Sequence, residues 1–159
     1  MNTYLYAPKD DPYHRKRWRE PYPKGEWKAL LKLIRAAQEQ RIDFVYAFHP
    51  GKGLRFSAPE PAQVLLDKAA RFYDAGVRTF AVLFDDIPSR LTHEDDRKQF
   101  NGSLAKAQGL WLEKILDLQP VIFLRGLQRF SQGGVAGDRA LKAGIDVADL
   151  EYGLALGLL

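Results

Sequence analysis

The run Thr79-Phe80-Ala81-Val82-Leu83-Phe84-Asp85-Asp86-Ile87-Pro88 constrains this chain more than any other stretch. An apolar segment runs straight into two adjacent carboxylates, and a proline ends it. A short apolar run bounded by turn signals reads as a strand buried on both faces, the kind found in parallel sheets covered by helices. Asp85 and Asp86 then stand at the carboxyl end of a buried strand, where α/β folds keep their chemistry. Charges in that place are costly unless hydrogen-bonded, solvated or functional. The plain alternative is that one of the pair caps a helix or fixes a turn.

The rest of the chain repeats this unit. Asn2 to Ala7 is rich in β formers and stops at Pro8, followed by a charged loop with Lys9, Asp10 and Asp11. Trp27, Leu30, Leu31, Ile34 and Ala37 recur at helical spacing and predict a helix from about Lys24 to Gln40. Asp43 to Phe48 is the next strand, closed by His49-Pro50-Gly51-Lys52-Gly53. His49 is a candidate ligand or base, with a structural donor as the plainer reading. A second helix runs from about Pro61 to Ala75, with Val64, Leu65, Ala69 and Phe72 inward and Gly76 as its stop. After the Asp pair, Glu94, Asp95 and Asp96 read as solvated capping charges. They open one long helix from about Asp96 to Leu118. Val121-Ile122-Phe123 is a fourth strand candidate.

Strand centres near Tyr4, Val45, Ala81 and Ile122 lie about 35–41 residues apart, one β-helix-loop unit each. Right-handed crossovers make all four strands parallel. Lys9, Asp10, Asp11, His49, Asp85 and Asp86 all follow strands, so they converge on one rim. From Leu124 onward no motif can be placed.

Length and composition bound the function. A chain of 159 residues can bury a core but falls short of a complete eight-unit barrel, which takes about 250 residues. It has no cysteine, hence no disulfide and no thiolate ligand or nucleophile. Residues 1–20 are polar, with no secretory apolar segment. A cytoplasmic setting is the expectation, with an upstream leader left open. The apolar tail near Leu154–Leu159 is too short to span a membrane. The net charge of +4 is spread along the chain. Its densest basic cluster, His14 to Arg19, follows Asp10 and Asp11 and is broken by Glu20, so no nucleic-acid partner is expected.

Neighbouring carboxylates suit two kinds of chemistry. They cannot ionise independently, so one becomes a general acid near neutrality while the other orients or stabilises a cation. That arrangement serves glycoside hydrolysis. Alternatively, hard oxygen ligands hold a divalent metal for phosphoryl transfer, with Asp10 and Asp11 supplying further ligands.

The segments Tyr4 to Arg15, Trp18-Arg19-Glu20, Tyr46 to Gly51 and Phe80 to Ile87 resemble glycoside hydrolase family 84, the β-N-acetylglucosaminidases that include O-GlcNAcase and proteins labelled hyaluronidase. The likeness extends from about Asn2 to Leu118. It implies a partial (β/α)8 barrel of the TIM type over residues 1–123, with about four parallel strands. It also implies a retaining, substrate-assisted mechanism in which the sugar's 2-acetamido oxygen forms an oxazoline, so no enzyme nucleophile is needed. By resemblance Asp85 orients the acetamido N–H, Asp86 is the general acid and base, and Lys9 hydrogen-bonds the sugar. No cofactor and no metal are implied. The partner is a glycan or glycoprotein carrying N-acetylglucosamine. Two family features are missing: an earlier strand with a sugar-contacting glycine, and a Cys-Pro-Thr-x-Tyr-like segment where Leu124-Arg125-Gly126-Leu127 stands. The expectation is therefore a fragment, with residues 124–159 outside the family pattern. A non-catalytic sugar-binding piece is the alternative.

Overall fold

The computed structural model describes residues 2–51, 53–85 and 87–117. The fourth strand candidate, residues 124–159 and Asp86 lie outside the described residues. Strand β1 (Thr3–Tyr6) is followed by helix α1 (Lys24–Glu39), strand β2 (Asp43–Phe48), helix α2 (Glu60–Asp74), strand β3 (Thr79–Val82), helix α3 (Glu94–Gln99) and a helix, α4, over 104–117. The strands form one parallel sheet in the order β1-β2-β3. Leu5 faces Val45 in register, and Val45 faces Thr79.

The central strand is buried along its length except at Asp43, and alternation divides its side chains between two faces. Phe44, Tyr46 and Phe48 point into the main core, with Leu30 and Ile34 of α1, Leu65 and Phe72 of α2, and Trp111 and Ile115 of α4. The rings of Tyr46 and Phe72 stack at 3.8 Å. Val45, Ala47 and Ala81 make the opposite face, with Ala7 and Leu83 beside them. The helices of this core therefore share one face of the sheet.

Helix ends follow backbone chemistry. Gly76 takes φ +98° after α2, with Gly76 N–H donating to Tyr73 O and Val77 N–H to Phe72 O. This left-handed closing turn satisfies carbonyls that a helix end leaves open. Arg41 (φ 55°) and Asn101 (φ 51°) close α1 and α3 in the same way, with Ile42 N–H bonded to Ala37 O and Gly102 N–H to Arg97 O.

The last of these closures corrects the expected helix from Asp96 to Leu118, which is two helices. Asn101 and Gly102 (φ 72°) turn the chain. Ser103 then caps α4, its Oγ accepting from Lys106 N–H at 3.2 Å. The strand expected to reach Phe84 also ends earlier, at Val82, although Leu83 N–H still bonds Phe48 O at 2.8 Å.

Candidate active site

The rim at the carboxyl ends of the strands is built from three loops. In the first, after β1, Asp11 is the organising group. Its Oδ1 accepts the backbone N–H of Tyr13 at 2.8 Å and of His14 at 3.1 Å. Its Oδ2 accepts the hydroxyls of Tyr6 at 2.9 Å and Tyr22 at 2.7 Å. Tyr22 also shares a hydrogen bond with Tyr46 at 3.1 Å. A carboxylate with four donors ties β1, its loop, the approach to α1 and β2 together. All three hydroxyls are pushed well above the ordinary tyrosine range, by burial first, with the Asp11 charge adding to it.

From the opposite side Lys68 of α2 pins the same loop. Its ammonium donates to Tyr13 O and Trp18 O, both at 2.7 Å. Burial lowers its pKa to about 8. Lys9, in the Asp11-anchored loop, is exposed. The basic cluster that follows is largely engaged within the chain. His14 and Trp18 are buried, Arg17 pairs with Glu20 and lies over Tyr13, and Arg19 lies over Trp18.

His49 opens the second loop, after β2, and is buried. The ring of His14 lies 6.1 Å away, centroid to centroid. Burial lowers the pKa of His14, opposed in part by the carbonyl side of Ala47.

In the third loop Phe84 turns toward the helices and meets the rings of Phe56 at 6.3 Å and Trp111 at 6.0 Å. Asp85 goes the other way. Its Oδ1 comes within 3.1 Å of His49 Nε2, while half of its side chain remains open to solvent. The sequence singles out both residues but does not join them. The expected partner of Asp85, Asp86, lies outside the described residues.

Two expectations change. Asp96 is no solvated cap: it is 1% exposed, and its carboxylate accepts the backbone N–H of Phe56 at 3.0 Å and of Ser57 at 2.8 Å. It holds the loop after β2 while Arg55 pairs with Asp95. Glu94, ion-paired with Lys98 at 2.7 Å, and Asp95 keep the expected exposed character. Asp11, considered as a metal ligand, spends both oxygens on its own chain. Among the described residues no three His, Cys, Asp or Glu side chains are grouped to hold a metal ion.

Sequential parallel strands joined by helices, with a half-exposed acid just beyond the third strand, define an α/β protein. A family model described as beta-N-acetylglucosaminidase matches residues 1–119. The chain belongs to that family, a family of glycoside hydrolases. It is 45% identical over 108 residues to the protein O-GlcNAcases of Rattus norvegicus and Mus musculus, a stretch covering 68% of this chain and 12% of each relative. Among solved structures, a mutant O-GlcNAc hydrolase of Thermobaculum terrenum superposes with a TM-score of 0.71 at 37% identity, over 76% of this chain and 26% of that one. The chain thus spans about an eighth of the curated relatives it matches.

Proposed function

We propose that this chain carries part of the sugar-binding rim of a retaining β-N-acetylglucosaminidase, acting on glycans or glycoproteins that bear β-linked N-acetylglucosamine. Asp85 accepts the 2-acetamido N–H and polarises the amide, whose oxygen attacks the anomeric carbon to form an oxazoline. Asp86 protonates the departing oxygen and then activates the water that opens the oxazoline. Lys9 binds a sugar hydroxyl. The scaffold is a wedge of a (β/α)8 barrel over residues 1–123. Consecutive strand order with the core helices on one face supports a barrel wall, since doubly wound sheets carry helices on both faces.

The observation that carries this reading is the placement of Asp85. It is half exposed at the end of β3, inside the segment matched by the family, and its position is set by Phe84 packing on the helices. The test is hydrolysis of a chromogenic N-acetyl-β-glucosaminide. Turnover lost in Asp86→Ala supports the enzyme. Equal rates in wild type and variant sink it. A non-catalytic sugar-binding piece is the second reading, since the exposed Lys9 and the half-exposed Asp85 suit contact with a sugar without turnover. Binding of N-acetylglucosamine without turnover would select it.

A further inference from the structure

The glycosidase chemistry above leaves His49 without a role, although the fold places it with care. Val45 and Ala47 in β2 and Ala81 and Leu83 on the β3 side share one face of the sheet. Continuing that alternation one step beyond Ala47 and Leu83 brings in His49 and Asp85. Their approach is therefore a product of strand register rather than of chance in a loop. His49 is 5% exposed, while its neighbour is 50% exposed. Among the described residues neither ring nitrogen makes a hydrogen bond; Oδ1 of Asp85, 3.1 Å from Nε2, is close enough for one but is not yet aligned for it. A buried imidazole with nothing else to bond calls for an explanation. A half-solvated carboxylate, left alone, would populate several rotamers.

We propose that His49 is a positioning residue: its Nε2–H holds Oδ1 of Asp85, fixing the carboxylate so that Oδ2 faces the acetamido N–H of the sugar. This rests on the role given to Asp85 above. The proton on Nε2 follows from the acceptor beside it. The imidazole touches no substrate atom and works by removing carboxylate conformations that cannot accept the amide proton. Because the bond from Asp85 to the amide strengthens as the oxazoline forms, a loosened carboxylate lowers kcat more than it raises KM.

The chain has three histidines, so their imidazole 15N resonances can be followed one by one. In Asp85→Ala the His49 Nε2 resonance moves and that of His93 does not. An unmoved His49 signal overturns the pairing, whatever the activity. In hydrolysis of 4-nitrophenyl N-acetyl-β-glucosaminide, His49→Phe lowers kcat by roughly tenfold to a hundredfold, the loss of one hydrogen bond to a charged group. His49→Gln, whose side-chain amide N–H can reach the same oxygen, recovers most of that loss. A space-filling role predicts the reverse order, with Phe the milder change, and that order overturns the proposal. A wild-type chain that turns over no substrate removes the glycosidase reading and with it the role at the acetamide. The imidazole spectrum then still reports separately whether the two side chains are paired.

Discussion

At the scale of single residues, Asp11 and Lys68 hold the loop that carries Lys9. Asp11 receives two hydroxyls and two backbone N–H groups. Asp11→Asn keeps the shape but gives up the charge and turns one acceptor oxygen into a donor facing hydroxyls. The expected cost is on the order of 2 kcal/mol, read as a lower urea midpoint at an unchanged slope. Lys68 makes a separate prediction with pH. Its folded-state pKa is depressed to about 8 from 10.5, by burial first. Below about pH 8 both states carry the proton, and the folded state bears the full desolvation cost. Between pH 8 and about 10 the unfolded chain keeps a proton that the folded chain has released, so stability rises with pH. Above about pH 10 the sign reverses. Tyr6, Tyr22 and Tyr46 have raised values, so unfolded tyrosines ionise first and stability falls. Urea midpoints from pH 7 to 11 should climb and then drop. Lys68→Met should abolish the climb and leave the drop. A climb that persists in Lys68→Met would assign it to another group.

At the scale of elements, the closing turns decide where helices hand the chain to the next strand. Gly76 at φ +98° leads through Val77 and Arg78 into β3. Gly76→Ala should cost about 1–2 kcal/mol through its left-handed backbone, and an added Cβ would also push the Gln38 side chain aside. A variant as stable as wild type would show that this turn can relax elsewhere. Gly76 is also where the sequence was easiest to read, because a glycine after a periodic stretch has one obvious use. The bounds of β2 and the inner stripes of α1 and α2 were legible for the same reason: local periodicity reports burial directly. The break between α3 and α4 was equally local, since Asn101-Gly102-Ser103 is a turn pair followed by a cap. The apolar positions on either side of it, Phe100 and Leu104, keep helical spacing across the turn, and that continuity outweighed the turn signal. Asp96 was a different failure. Its position in a first turn suits a solvated cap, and only the fold shows that two backbone N–H groups, some forty residues earlier in the chain, point at it. Asp11 with Tyr6 and Tyr22, and His49 with Asp85, belong to the same class. No spacing rule encodes a contact made between loops.

At the scale of the whole molecule, a sheet with consecutive strand order and one core on one face directs the strand ends to a common rim. The central strand is sealed on both sides and sets the frame. Tyr4 and Leu5 of β1 stay about half exposed, as suits a strand paired, among the described residues, on one side only. Family membership rests on residues 1–119, the part in which the rim residues named here all lie. The central claim is that this rim performs acid and base chemistry on an amino sugar that provides its own nucleophile. The most direct test is the rate of 4-nitrophenol release from 4-nitrophenyl N-acetyl-β-glucosaminide by wild type and by Asp86→Ala, measured from about pH 4 to 9. The account predicts a bell-shaped wild-type profile and a loss of about a hundredfold in the variant. A flat profile, or equal rates in the two proteins, would contradict it.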